Sequence, residues 1–228
     1  MKRLKSHIPS GAVEELVSEY KQEGGLIHYQ TTECSLNGEV VGRRAYTQDG
    51  KLVLETPLKG GQKHGREYTW DEDGALLLVE PYVEGKIHGL AKQYGRSGKI
   101  IGTYTLVHGT GFDIWRQECG EGCVFISEIH GLRDGLPHGY EWWFKREQRS
   151  IWIERHWYEG KCHGIEREWN SRGRLSRGYP KYWIAGQAIS KRRYLQAARM
   201  DKTLPAFRAK DSLPRRKFPP EIERLLSL

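Results

Sequence analysis

Apolar and polar residues alternate in short runs along most of this chain, and glycine bounds each run. "REYTW" (66–70) sets Arg66, Tyr68 and Trp70 on one side and Glu67 and Thr69 on the other. "YEWWF" (140–144) groups Tyr140, Trp142 and Phe144. "IEREW" (165–169) groups Ile165, Arg167 and Trp169 against Glu166 and Glu168, and "LAKQY" (90–94) groups Leu90, Lys92 and Tyr94. Period two with aromatic residues predicts half-buried β-strands. Each run leads to a turn signal ("DEDG" at 71–74, "GRSG" at 95–98, "NSRG" at 170–173). A second apolar run follows, such as "ALLLVEPY" (75–82), "KIIGTY" (99–104) or "SIWIERHWY" (150–158). The predicted unit is a β-hairpin.

The unit repeats. "NGEVVG" (37–42), "GGQKHG" (60–65), "EGKIHG" (84–89), the shortened "HGTG" (108–111), "DGLPHG" (134–139) and "EGKCHG" (159–164) align on Gly38, Gly61, Gly85, Gly109, Gly135 and Gly160, at spacings of 23, 24, 24, 26 and 25. A beat this steady predicts an array of one small module. Five copies carry histidine: His64, His88, His108, His138 and His163. As a row they suggest metal ligands or pH-sensitive groups. One per hairpin, however, puts neighbours roughly 10 Å apart, too far to share an ion. The expectation is a turn-flanking residue whose ring packs on the next repeat and whose nitrogen bonds backbone.

These residues resemble the variant MORN repeat of YwqK-family antitoxins of toxin–antitoxin systems. The resemblance rests on the "nG-x-x-HG" turn, on the aromatic some nine residues after its first glycine (Trp70, Tyr94, Phe144, Trp169), and on the "G-x-L" restart at Gly50-Lys51-Leu52, Gly74-Ala75-Leu76 and Gly173-Arg174-Leu175. It covers roughly residues 25–178. It departs at 112–134, which predicts a shorter first strand and a different turn, and at "REQRS" (146–150), which lacks the turn glycine. The resemblance implies a mainly β fold: an elongated, twisted, single-layer antiparallel sheet of about six MORN-like hairpin repeats, serving as a binding scaffold.

The ends read differently. "SGAVEELVSEYKQEGG" (10–25) predicts a capping helix, with Ser10 as N-cap, Glu14 and Glu15 in the first turn, Val13, Leu16, Val17 and Tyr20 on one face, and Gly24-Gly25 as the stop. After a strand–turn piece at 179–190, "SKRRYLQAARMD" (190–201) predicts a helix capped by Ser190, and "PPEIERLLSL" a short terminal helix with Pro220 in its first turn. The expected organisation is an N-terminal cap at 1–25, a hairpin array at 26–189 and a basic helical tail at 190–228.

Charge sharpens that division. The chain of 228 residues has a net charge of +8. Residues 190–228 hold eleven Lys and Arg against four Asp and Glu, a net +7; the other 189 residues hold 26 against 25. The tail therefore carries the candidate nucleic-acid contacts Lys191, Arg192, Arg193, Arg215, Arg216 and Lys217. A tail docked on an acidic partner or on the sheet itself is the favoured reading of the same residues. Its apolar residues form no amphipathic stripe that would favour a membrane surface. No leader-like or membrane-spanning apolar run occurs, and four cysteines in such a chain predict a cytoplasmic protein with reduced thiols.

Candidate chemistry is sparse. Cys119-Gly-Glu-Gly-Cys123 fits half a zinc site with His108 or His130, a redox-labile pair, or plain turn residues. Cys162 aligns with Lys63, Ile87 and Pro137, which argues against a nucleophile. Glu166 and Glu168 are placed on a solvated face. No hydrolase, metalloprotease or phosphate-loop motif is present, so neither catalysis nor a cofactor or resident metal is expected. Eight Trp and twelve Tyr are the residue types of protein-binding hot spots. Trp70, Tyr94, Trp115, Trp142, Trp143, Trp157 and Trp169 are the candidate partner-binding residues, with Trp143 and Trp157 facing away from the buried set. The expected function is a protein-binding scaffold, antitoxin-like or an accessory of a defence or regulatory locus, whose partner is a toxin, protease or regulatory subunit. Nucleic-acid binding through the tail is the alternative.

Overall fold

The computed structural model describes residues 5–21, 28–120, 122–146, 150–215 and 217–226. The chain forms two compact units, Met1–Gly109 and Thr110–Leu228. The first contains β1 (Val13–Lys21), β2 (His28–Leu36), β3 (Glu39–Tyr46), β4 (Leu52–Lys59), β5 (Gln62–Lys63), β6 (Gly65–Trp70), β7 (Leu76–Val83), β8 (Lys86–Ile87), β9 (Gly89–Tyr94) and β10 (Ile100–Val107). Sequential strands pair antiparallel throughout. The second contains β11 (Thr110–Gly120), β12 (Cys123–Arg133), β13 (Leu136–Phe144), β14 (Ile151–Tyr158), β15 (Lys161–Cys162), β16 (Gly164–Glu168), β17 (Lys181–Ile184) and β18 (Gln187–Ile189), then α1 (Lys191–Met200), a 3-10 turn (Ala209–Ser212) and α2 (Pro220–Leu226). Its strands also pair antiparallel in sequence order.

Two turn types alternate. At one end of the hairpins, two consecutive residues hold positive φ: Asn37-Gly38, Gly60-Gly61, Glu84-Gly85, His108-Gly109, Asp134-Gly135, Glu159-Gly160 and Ala185-Gly186. This is the tight turn whose twist matches that of paired strands, and glycine is the residue that adopts it without steric cost. The seventh pair, Ala185-Gly186, continues the glycine beat past the six copies legible in the sequence. At the other end lie four-residue turns, two of which a side chain closes. Asp71 Oδ1 accepts from the Asp73 and Ala75 amides (3.0 and 2.7 Å), and Asn170 Oδ1 from Arg172 and Arg174 (2.9 and 3.2 Å).

The tight turns stack through backbone. Gly85 N–H donates to the Lys63 carbonyl (2.9 Å) and Gly109 to Ile87 (2.7 Å). In the second unit Gly160 donates to Pro137 (2.9 Å) and Gly186 to Cys162 (2.8 Å). Two of the repeat histidines add a second tie. His88 Nδ1 accepts from the His108 amide (3.2 Å), and His163 Nδ1 from the Ala185 amide (3.1 Å). His88 and His108 stand with ring centroids 4.3 Å apart, far closer than the expected 10 Å. His108 occupies the turn itself, so the two rings belong to different register positions. The histidine amide also closes a bulge, as where His163 N–H meets the His156 carbonyl at 2.9 Å.

The predicted N-terminal helix is a strand. Val13–Lys21 pairs with His28–Leu36, from Val13 opposite Ser35 onward. Long-range bonds override the helical pattern: Glu14 accepts from Thr32 (2.6 Å), Tyr46 (2.5 Å) and Arg44 (2.7 Å). The proposed face is solvated, with Val13, Leu16 and Val17 more than half exposed. Gly24 and Gly25 lie outside the described residues, as does part of "REQRS". The hairpin at 112–134 is also corrected. Its strands, at eleven residues each, are the longest described, and Cys119 and Cys123 are joined by a disulfide where reduced thiols were expected. The pairing brings their Cα atoms to 5.1 Å, within disulfide reach. Cys34 and Cys162 are free.

At the C-terminus the sequence reading holds. Ser190 Oγ accepts from the Arg193 amide, capping Lys191–Met200, and Pro220 opens α2. This region lies over one side of the second unit's sheet. Tyr194 and Leu204 are buried with Ile165 and Tyr182. Trp169 donates its indole N–H to the Ser212 carbonyl (2.7 Å), and the Phe218 ring meets Trp142 edge to face (centroids 5.0 Å apart) and Phe144 at a tilt (5.6 Å). Two outcomes follow. Gly164→Ala should cost about 2–3 kcal/mol in urea unfolding, because φ is +150° and the added Cβ falls 2.7 Å from His156 Cβ. Deleting 203–228 should lower the melting temperature and red-shift tryptophan emission as Trp142 and Trp169 lose their cover.

Candidate partner-binding face

In the second unit the strand registers place Asp113, His130, Glu141 and Arg155 in one cross-strand row. Glu166 and Lys181 continue it. Side chains two residues along a strand share a side, so Trp115, Trp143, Trp157 and Trp183 stand beside this row, all half-buried. Tyr140, Trp142, Glu154, Ile165 and Arg167 point to the other side, beneath the C-terminal segment.

The row is held by carboxylates that accept from indoles. Glu141, 9% exposed, takes the Trp143 N–H (2.6 Å), the Trp157 N–H (2.7 Å) and Arg155 (3.2 Å). Glu166, 8% exposed, takes Trp183 (2.9 Å) and Arg155 (3.2 Å). Charge-assisted bonds of this kind offset the cost of burying a carboxylate. Glu166 therefore belongs to an aromatic lattice, not to the solvated face expected of it. The sites in the first unit that follow the same register show the same chemistry. Glu67 accepts from Thr56 (2.6 Å) and pairs with Lys63 (2.7 Å), and Glu80 accepts from Tyr82 (3.0 Å) and Tyr104 (2.5 Å). Burial pushes the Glu80 carboxyl up despite those two donors.

His130 is the titrating member of the row. Its Nδ1 lies 3.0 Å from Asp113 and its Nε2 3.2 Å from Glu128. Burial alone would lower its pKa; Asp113, Glu141 and Glu128 together outweigh it and raise the pKa above the ordinary value of 6.5. His156, across the sheet, behaves oppositely: burial lowers it, and its Nδ1 meets the His163 carbonyl at 2.6 Å.

The structure divides the predicted contact residues. Trp115, Trp143 and Trp157 share the open indole face. Trp142 and Trp169 (4% and 0% exposed) are core residues and present no surface. Trp70 stacks on Tyr68 at 5.7 Å in the first unit, where Tyr94 is also half-buried. Among the tail cations, Lys191, Arg192, Arg193, Arg215 and Lys217 are exposed, and Arg216 lies outside the described residues. Trp183 was missed. It sits three residues before Gly186, as Trp157 sits before Gly160 and Tyr82 before Gly85, so the seventh glycine would have found it. Among the described residues no group of three or more His, Cys, Asp or Glu side chains is placed to hold a metal ion, and no helix is long and apolar enough to cross a membrane.

No family model matches the chain, and no curated protein or solved structure does. What is established is a β-hairpin architecture with a recurring glycine turn; the MORN likeness rests on the motif residues alone.

Glu141→Gln should destabilise the protein by about 1–3 kcal/mol and shift tryptophan emission, since two indole N–H groups lose a charged acceptor. For His130 the raised folded pKa places its stabilisation below pH 6.5, to be lost as pH rises through the folded value. The melting-temperature gap between the wild type and His130→Gln should therefore be widest near pH 6 and close by pH 9.

Proposed function

We propose that this protein is a non-catalytic repeat scaffold that binds a protein partner through the indole face of its second unit. The observation that carries this is the row of four half-buried tryptophans, three of them held at fixed angles by buried carboxylates: Trp143 and Trp157 by Glu141 and Trp183 by Glu166. Rigid aromatic rings lose little conformational entropy on contact, which is why they dominate binding hot spots. An ordinary core needs no such ring array on the side away from its cover. The antitoxin-like role implied by the MORN-variant motif is one specific form of this reading, with a toxin as the partner; a protease or regulatory subunit of a defence locus would use the same face.

A second reading has its own support. α1 turns Lys191, Arg192 and Arg199 toward an open groove of about 530 Å³ with Leu195 and Gln196, a placement suited to phosphates.

The test is affinity capture from the native host. Wild-type protein should recover a stoichiometric protein, and Trp143→Ala with Trp157→Ala should reduce recovery at least about tenfold with the fold retained by circular dichroism. Equal recovery by the double variant sinks the reading. Capture of nucleic acid that falls steeply with salt, and is lost on replacing Lys191, Arg192 and Arg199 by Ser, would favour the alternative.

A further inference from the structure

In the first unit the side of the sheet that carries Tyr68 is covered by the start of the chain. Tyr68 donates its hydroxyl to the Lys5 carbonyl (3.0 Å), and Ile8, 4% exposed, lies over Gly42. The other side carries Glu67 and Glu80, and there the chain itself shows what sits on a ring. Lys63 Nζ lies 4.6 Å from the centre of the Tyr82 ring and 2.7 Å from the Glu67 carboxylate. The Tyr82 hydroxyl donates to Glu80 (3.0 Å) and also meets Glu67. A ring whose polar hydrogen is given to a carboxylate has a more negative face, and a cation is the group that such a face attracts. Ring, carboxylate and cation form one cluster.

The second unit repeats two of these three parts, twice. Trp157 stands three residues before Gly160 and Trp183 three before Gly186, as Tyr82 stands before Gly85. Glu141 and Glu166 lie six residues after the turn glycines Gly135 and Gly160, as Glu67 lies after Gly61. Trp157 gives its indole N–H to Glu141 (2.7 Å) and Trp183 to Glu166 (2.9 Å). The third part differs. Pro137 and Cys162 hold the place of Lys63, two residues after the turn glycine, with the carbonyl that accepts the next glycine amide. Arg155 does not stand in for it, because its guanidinium is shared between Glu141 and Glu166 at 3.2 Å from each. Lys181 stands over Tyr179 instead (4.5 Å). Among the described residues no cation lies over Trp157 or Trp183.

We propose that Trp157 and Trp183 each seat a cationic side chain, arginine or lysine, of a protein partner, in the place that Lys63 takes on Tyr82. This rests on the reading of the indole face given above and names the chemistry of its partner. The indole N–H groups of Trp143, Trp157 and Trp183 are spent on carboxylates, so these rings offer no donor to an acidic or phosphate-bearing partner. What they offer is their negative faces, beside two carboxylates that share one guanidinium. Arginine suits such a seat, since its planar head stacks on a ring while its edge donates to a carboxylate. Trp157 and Trp183 stand on β14 and β17, with β16 between them. Two strand spacings are roughly 10 Å, so the partner presents two cations at that separation.

The probe is a fluorescent peptide of three Arg-Pro-Pro units, whose three-residue helical repeat sets successive arginines about 9 Å apart on one side. Its counterpart carries citrulline, the neutral isostere, in place of arginine. Both are titrated by anisotropy against the full chain, whose net charge of +8 opposes unspecific capture of a cationic peptide. The arginine peptide should bind at least about tenfold more tightly than the citrulline peptide. Trp157→Leu should weaken its binding about threefold or more. Pro137→Lys, which puts a lysine in the place of Lys63 and keeps the carbonyl that Gly160 uses, should weaken it as much with little change in melting temperature. Full binding by both variants, or no binding of the arginine peptide up to about 1 mM, overturns the proposal. If the two peptides bind alike and both are lost with Trp143→Ala and Trp157→Ala together, the cation seats fall while the binding face stands. If the arginine peptide behaves as expected but native capture ignores that double variant, the cation seats stand and the partner reading falls. Self-association in the ultracentrifuge that Trp157→Leu abolishes also overturns the proposal, since a second copy then brings the cation.

Discussion

A single backbone hydrogen bond sets the geometry of each unit: the amide of a turn glycine in one hairpin donates to a carbonyl in the turn of the hairpin before it. Gly85 to Lys63 and Gly186 to Cys162 are the same bond. It requires the turn residues to sit at positive φ, which restricts the second of them to glycine. It also fixes where the next hairpin begins, so the period of the sequence is the spacing of these donors. Two of the repeat histidines serve that bond. By accepting the amide of the first turn residue, His88 and His163 satisfy the other donor of the same turn, leaving neither amide of those turns orphaned.

A hairpin sheet fixed in this way has two sides and little depth, and each unit must find something to put on both. One solution is the chain's own ends, laid across the Tyr68 side in the first unit and across the Trp142 side in the second. The other is polar. Carboxylates in the middle of the strands are buried among rings whose N–H and O–H groups they accept, so a layer too thin for an aliphatic core is held by charged bonds with few unsatisfied atoms. The cost is that removing one member strands the others, as at Glu141, where three donors share one carboxyl group.

How much of this was legible depends on where the information lies. The glycine beat, the alternation in "REYTW" and the Ser190 cap are local, and they lead to the right strands, turns and helix. The first strand was not legible. Val13, Leu16 and Val17 have helical spacing, and what makes them a strand is the pairing with His28–Leu36 and the anchoring of Glu14 by Arg44 and Tyr46, thirty residues away. The indole face was half legible. Trp143 and Trp157 could be assigned to the side opposite Trp142 by parity alone. Trp183, which draws Glu166 out of solvent, lies in a copy whose turn begins with alanine and lacks the histidine, so its spacing to Gly186 is the one signal that marks it.

The residues that accept the glycine bond are Lys63, Ile87, Pro137 and Cys162, four side chains with nothing in common. The fold asks of this position only its carbonyl oxygen, which every amino acid supplies, proline included. In each unit, therefore, the glycine bond makes no demand on the side chain at these positions beside the tight turns. Variation there would alter what the turn edge of each unit displays without disturbing the glycine bonds that stack its hairpins.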